Sequence, residues 1–360
     1  MTASRSATGL GAWEADNLGA TARAYLGVGA DEGLPSSVRM MSAIARLANS
    51  RSAVATAASD PIEPSVFLLN ADPSQDIRAR AVYAPMLDNG LERIAGRLWH
   101  INELAVVGWA LDLQSGPDAD LFHLVETLGA GETPAVILEP RTSPSTLRLY
   151  PDGLGHPASV TLARLVDEDT IDLESILASI GRIHARHMQT PTAQDARVRL
   201  WKNSGRCWPS EDAEALVQHE LNVGLSMAYP QLTIRKEQTG IPGRLDLMVE
   251  RDHTETPGQV TIFAVLELKV LRAFTHTGGA VHATTNDDAI RDGIQQAADY
   301  RQDRNARSAA LCCFDMRCEP SGDVCFDPYR SDAAAANVTL RLWFIFSSAR
   351  AFRRHPRSSR

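Results

Sequence analysis

Residues 262–271, IFAVLELKVL, decide how this chain is read. The run is apolar except for Glu267 and Lys269. Those two are two apart, so on a strand they point to one face. A near-continuous apolar run is the signature of a central strand covered on both faces. Two charged side chains in such a place cost several kcal/mol unless each is paired or holds an ion. A salt bridge between them is the plain alternative. One segment upstream, GRLDLMVE (243–250) places Asp246 mid-strand, with Leu245, Leu247 and Val249 on the other face. Strand interiors disfavour Asp, so it too needs a reason. A hairpin would set Asp246 beside Glu267, and adjacent carboxylates are stabilised by a divalent cation with oxygen ligands. The backbone carbonyl of Leu268 would add another oxygen.

Further out, the spacing predicts a helix over 211–229 with Ser210 as its N-cap. Strands are predicted at 232–238, 243–250 and 260–271, with hairpin-like connections at 239–243 and 252–259. A polar loop (274–287), a helix from about 288 to 305 and strands at 309–317 and 338–348 complete the order. Helix, three strands, helix, strand is an α/β sandwich around a mixed central sheet.

At this point the chain resembles the PD-(D/E)xK nucleases, a superfamily that includes many restriction enzymes. The resemblance rests on Gly243-Arg244-Leu245-Asp246, twenty intervening residues, and Glu267-Leu268-Lys269, with Leu245 where the family has proline. Gln296 and Tyr300 on the following helix match the QxxxY motif of the RecB-like branch. The resemblance covers residues 204–350 and implies a restriction-endonuclease-like fold there. It implies that Asp246, Glu267 and the Leu268 carbonyl hold Mg2+ or Mn2+, joined by a glutamate from the first core helix. Glu214 is preferred over Glu211 and Glu220, because Glu214, Gln218, Leu221 and Leu225 form a core-facing stripe. Lys269 would orient or activate a water or stabilise developing charge, with Gln296, Tyr300 and Arg244 positioning the substrate. Arg301, Arg304 and Arg307 either contact phosphates or form a solvated basic face.

The length of 360 residues accommodates two domains. Residues 1–195 carry 14 Lys or Arg against 24 Asp or Glu, a net of −10, whereas residues 196–360 carry 22 against 20, a net of +2. The second half suits phosphate and the first repels it. Expected are an N-terminal α+β domain at 1–190, regulatory or recruiting, a nuclease domain at 197–350, and a basic flexible tail at 351–360. In the first domain the first sixty residues read as partly loose. Strands are expected at SVFLLN, AVVGWALDL and PAVILEP, and a helix at DNGLERIAGRLWHI (88–101). A helix at 172–188 closes the domain and 190–196 forms a linker.

No stretch of 18 apolar residues suggests a membrane span, and the five cysteines do not read as a disulfide framework; a cytoplasmic protein with reduced thiols is expected. Some relatives in the RecB-like branch hold an iron–sulfur cluster. Cys207, Cys312, Cys313, Cys318 and Cys325 do not match its spacing, and no cluster is expected. His184 and His187 lack a partner for a metal site, and His276 and His282 fall in the polar loop. There is no P-loop signature. The expected activity is metal-dependent hydrolysis of DNA, in bacterial defence or DNA processing. Two alternatives stay open: a ribonuclease using the same site, and a non-catalytic binding module on a retired nuclease fold. Expected partners are nucleic acid, a protein meeting the acidic N-terminal domain, and a second copy, since duplex cutting favours a dimer.

Overall fold

The computed structural model describes residues 33–54, 63–69, 73–86, 93–102, 105, 107–113, 118–167, 170–194, 199–236, 246–252 and 259–355. The chain is mixed α/β and divides into two compact units, one centred on residues up to Arg141 and one on Leu162–Arg251 and Val260–Arg360.

The N-terminal elements are α1 (Ser36–Val54), β1 (Ser65–Leu69), α2 (Gln75–Arg80), β2 (Val82–Pro85), β3 (Arg97–Ile101), β4 (Val107–Asp112), α3 (Asp118–Thr127), β5 (Ala135–Glu139), β6 (Thr146–Tyr150) and β7 (Thr161–Arg164). The strands form one mixed sheet in the order β2-β4-β3-β1-β5-β6-β7. Val66, Phe67 and Leu68 of β1 are all fully buried, as a strand covered on both faces requires. It runs parallel to β3 and antiparallel to β5. Leu121 and Val125 of α3 join Val66, Leu68, Leu98 and Ile137 in one core.

The helix expected over 88–101 is corrected in its second half. Arg97–Ile101 is β3, and the residues before it, from 93 to 96, are not helical. Gly96 takes φ +67°, a turn that ends any helix. Leu98 and Trp99 are then buried on opposite faces, a period of two rather than 3.6.

The second unit contains α4 (Leu173–Ile183), β8 (Trp201–Asn203), β9 (Trp208–Pro209), α5 (Ala213–Ala228), β10 (Thr233–Lys236), β11 (Leu247–Asp252), β12 (Val260–Arg272), α6 (Ala283–Asp303), β13 (Ser308–Met316), α7 (Arg330–Ala336), β14 (Thr339–Phe344) and α8 (Ala349–Arg354). Its sheet has the order β10-β11-β12-β13-β14. β10 and β11 are antiparallel, and β13 runs parallel to both β12 and β14. The seven residues between β11 and β12 are too few for a parallel crossover, so that pair is a hairpin. α6 and α7 are the crossovers of the parallel part. Alternation along β12 sets the layers. Ala264, Leu266, Leu268 and Val270 enter a core with Ile180, Leu221, Leu225 and Phe314, from α4, α5 and β13. Val265 and Leu271 enter a second core with Ile290, Ile294, Ala297 and Leu311, beneath α6. Each fully buried Leu or Ile here contributes roughly 1.5–3 kcal/mol.

Several expectations shift. The helix at 172–188 was expected to close the first domain; instead Ile176, Leu177, Ile180 and Ile183 of α4 are buried in the core of the second unit, whose segment Leu162–Arg251 contains this helix. Its strong apolar face belongs to the sheet that follows it. Of the expected linker, the part up to 194 is tied down: Gln194 donates to the Met188 carbonyl and accepts from Leu200 N–H. Residues 195–198 lie outside the described residues. Asp212, not Ser210, is the N-cap of α5, because Ser210 N–H is bound to the Leu200 carbonyl at 2.7 Å and held away from the helix. α6 begins five residues earlier than predicted, at Ala283, and α7 was not foreseen. Part of the expected flexible tail is helical: Ser348 caps α8 and Phe352 meets Phe346, ring centroids 5.3 Å apart.

Candidate active site

β11 begins at Leu247, so Asp246 stands at its entrance rather than mid-strand. There its Oδ2 accepts a hydrogen bond from Leu268 N–H at 2.7 Å. Two residues on, Val270 N–H donates to Glu214 Oε2 at 3.2 Å. N–H groups two apart point to the same edge of a strand. The end of β12 runs past the start of β11, and the carboxylates of Asp246 and Glu214 take the place of the missing ladder acceptors. Gln218, one turn along α5 from Glu214, donates to the Asp246 carbonyl at 2.7 Å and fixes the approach to β11. The Leu268 carbonyl points to the same edge as its N–H, the edge that Asp246 occupies.

Glu267 and Lys269 project from the other face of β12, under α6. Glu267 is 1% exposed. Lys269 Nζ donates to its Oε1 at 2.5 Å, while Oε2 is buried with no hydrogen-bond partner. Burial, then the charge of Asp246, pushes the Glu267 carboxyl up to about 8, against the pull of Lys269 and with a smaller push from Glu214. Burial works to lower the Lys269 pKa, but Glu267, Asp246 and Glu214 outweigh it and hold the ammonium above its ordinary range. Three carboxyl groups and one ammonium therefore feel each other at one place.

α6 closes over this face at Gly293. A methyl group there would lie 2.6 Å from Leu311 Cδ1 and 3.4 Å from Lys269 Cγ, so the glycine lets the helix approach the lysine stem. Gln296 and Tyr300 are three and seven residues further along, the same side of the helix. Gln296 Oε1 is buried without a hydrogen-bond partner.

Comparison of the chain with family models, with curated proteins and with solved structures returns no match. The chemistry of the site therefore rests on its own geometry.

The structure thus brings together Asp246, Glu267, Lys269 and Glu214 through hydrogen bonds and mutual charge. Arg244 lies outside the described residues, as does the turn at 239–243. Glu211 turns outward, 3.8 Å from His276, and is not among the groups felt by Glu267. Arg301 donates to the Ala336 carbonyl and Arg307 stacks over Phe263 at 4.8 Å, so both face protein rather than substrate. His184 is buried and its Nε2 meets the Phe344 carbonyl at 3.0 Å. His282 precedes α6 at its N-cap. Cys312 and Cys313, adjacent on β13, enter opposite cores. Cys207 meets Cys318, and burial first, then that neighbour, pushes its thiol up to about 12. The five thiols are therefore spread over several places.

Among the described residues no three His, Cys, Asp or Glu side chains already converge on one cation position, because Asp246 and Glu214 each engage the β12 backbone. The donor set nevertheless fits a hard divalent cation: carboxylates, a strand-edge carbonyl and the orphaned, buried Glu267 Oε2. Sequence reasoning passed over Gln218 and Gly293 as functional positions. A glycine inside a helical pattern was the available signal for Gly293, since it costs about 1 kcal/mol against alanine and needs a packing reason.

Proposed function

We propose that the second unit is a metal-dependent nuclease that hydrolyses phosphodiester bonds of DNA, on a restriction-endonuclease-like sandwich. The observation that carries this reading is Glu267, fully buried, with one oxygen on Lys269 and the other unpartnered. A structural salt bridge leaves no reason for the orphaned oxygen or for two further carboxylates beside it. A cation-binding catalytic centre accounts for both. The order of helix, hairpin, strand, helix and strand around the site agrees with the resemblance drawn from Asp246, Glu267 and Lys269.

Glu267 Oε2, Asp246 and Glu214 would hold Mg2+ or Mn2+, with the Leu268 carbonyl on the same edge. Such a cation, when bound, supplies Lewis acidity toward the scissile phosphate. Lys269, bonded to Glu267, would serve as the donor at this place. Its ammonium orients the attacking water and stabilises negative charge gathering on the phosphate oxygens. Gln218 keeps Asp246 in place through its carbonyl. Gln296 offers its free oxygen on the α6 side, where it and Tyr300 position the strand to be cut. Water attacks phosphorus, the bond to the 3′ oxygen breaks, and the leaving oxygen takes up a proton, giving a 5′-phosphate and a 3′-hydroxyl.

The test is incubation of the purified chain with end-labelled duplex DNA, single-stranded DNA and RNA, in Mg2+ or Mn2+ and in EDTA. Cation-dependent cutting of DNA is expected. Cutting of RNA alone would move the substrate to the other sugar, and no cutting of any substrate would overturn the proposal.

A further inference from the structure

Residues 196–210, ARVRLWKNSGRCWPS, hold Arg197, Arg199, Lys202 and Arg206 and no Asp or Glu, in a chain whose net charge is −8. Arg197 lies outside the described residues. Arg199, Lys202 and Arg206 are all exposed. Among the described residues none of the three is in an ion pair. Elsewhere in the second unit arginines find acids: Arg235 with Glu250, Arg291 with Asp288, Arg317 with Asp315, Arg330 with Asp327 and Arg341 with Glu174. Unpaired cations clustered along one short segment, with Asp195, Glu211 and Asp212 only at its ends, are the electrostatic footprint of a polyanion.

The element that carries them is held in shape. Trp201 pairs with Pro209 and Asn203 with Trp208 in the two-stranded β8–β9 hairpin. Cys207 takes φ +55° to reverse the chain, and Ser210 N–H closes the base on the Leu200 carbonyl. The Arg206 guanidinium sits 5.1 Å above the Trp208 ring, which limits the rotamer freedom it would lose on binding. The Trp208 ring also touches Gly278: a methyl group there would lie 2.2 Å from the ring. Gly278 belongs to the turn that follows β12, whose ends pair at Phe274 and Ala280. The hairpin is therefore pinned to the loop that leaves β12 just after Lys269. It also leads, through residues 210–212, directly into the first turn of α5 and Glu214.

We propose that the β8–β9 hairpin and the residues leading into it, through Arg199, Lys202 and Arg206, are the phosphate-contacting strip that guides a nucleic-acid strand to the site of Glu214 and Lys269. This rests on the nuclease reading for its purpose, but not for its measurement. Trp208 acts as a positioning residue, holding Arg206 on one side and the Gly278 turn on the other.

The experiment is fluorescence anisotropy of the full chain with fluorescein-labelled 20-nucleotide DNA, single-stranded and duplex, in EDTA so that nothing is cut. Affinity is measured from 50 to 200 mM NaCl. Each phosphate contact contributes about 0.9 to the slope of log K against log salt on duplex and about 0.7 on a single strand. The triple variant Arg199→Ala, Lys202→Ala, Arg206→Ala is expected to lower the slope by about 2–3 and to weaken binding at least tenfold at 50 mM NaCl. Its unfolding midpoint is expected to match the wild type, since these side chains are exposed. Trp208→Ala keeps all three charges and is expected to weaken binding less, with a smaller change of slope. A wild-type slope and Kd in the triple variant would overturn the proposal, as would a wild type that binds neither probe. Displacement of the DNA by poly-glutamate at equal charge would assign the strip to an acidic protein instead and overturn it equally. Failure here leaves the nuclease reading standing if the wild type cuts. Loss of binding in the triple variant, in a protein that cuts nothing, supports the strip and sinks the nuclease reading.

Discussion

Gly293→Ala puts the relation between α6 and the site to a test of sign. In an isolated helix the change stabilises, because glycine costs about 1 kcal/mol against alanine. Here the added methyl would lie 2.6 Å from Leu311 Cδ1, 3.3 Å from its Cδ2 and 3.4 Å from Lys269 Cγ. Leu311 is fully buried in the core under α6, so its side chain would have to shift among packed neighbours, and overpacking of this kind costs about 1–3 kcal/mol. The sum is a destabilisation of up to about 2 kcal/mol, the size of clash setting the upper end. Relief comes by lifting α6 or by pushing the lysine stem, and either moves the ammonium or Gln296. Displacements of about 1 Å in a catalytic group cost on the order of 100-fold in rate. Urea denaturation followed by tryptophan fluorescence reads the first effect and single-turnover cleavage the second. A Gly293→Ala protein that is about 1 kcal/mol more stable and cuts at the wild-type rate would refute the close approach of α6 to Lys269.

Three further outcomes are expected. His184 is buried with its pKa lowered from 6.5 to about 4, chiefly by desolvation. Between those values the unfolded chain binds the proton and the folded one does not, so the stability it contributes is complete above pH 6.5 and falls as pH drops toward 4, by about 3 kcal/mol at most. His184→Gln should flatten that part of the profile of midpoint against pH, and an unchanged profile would assign the loss to other groups. Arg317 donates through Nε, Nη2 and its backbone N–H to Asp315, which has no exposure. Arg317→Ala strands a buried carboxylate and should cost about 3–5 kcal/mol, with Asp315→Asn in the same chain restoring part of it; equal stability of the single and double variants would contradict this. Mg2+ or Mn2+ should raise the unfolding temperature of the wild type, by about 2.7 kcal/mol of stability at a hundred times the Kd. Glu267→Gln should abolish that rise, and chelation with EDTA should reverse it in the wild type; a cation effect that survives Glu267→Gln would place the ion elsewhere.

The second unit was the more legible half, and β12 shows why. Its apolar run, interrupted at Glu267 and Lys269, allows one placement: a central strand with one charged spot. From there the hairpin, the crossover helix and β13 follow from short connections and periodicity. Glu214 was legible too, since its stripe with Leu221 and Leu225 points at β12, where its carboxylate meets Val270 N–H. Element ends were less legible because tertiary hydrogen bonds set them: Ser210 is drawn off the helix by Leu200, and Asp246 is held at the strand entrance by Leu268. α4 was assigned to the wrong unit because amphipathic spacing says that a helix has an apolar face and not which core it enters. The N-terminal sheet was hardest, since β3 lies where leucine and isoleucine spacing over 88–101 mimics a helix. Only the Gly96 turn and the burial of Trp99 distinguish the two.

The central claim is that Asp246, Glu267 and Lys269 form one hydrolytic centre, and side-by-side cleavage by single variants tests it most directly. Wild type, Asp246→Asn, Glu267→Gln and Lys269→Ala, each with a wild-type unfolding midpoint in EDTA, are given labelled DNA in Mg2+ and followed through one turnover. Loss of an interaction made with the developing charge typically costs on the order of 100- to 1,000-fold, and each variant is expected to fall at least that far. Cutting at the wild-type rate by any one of the three would contradict the account.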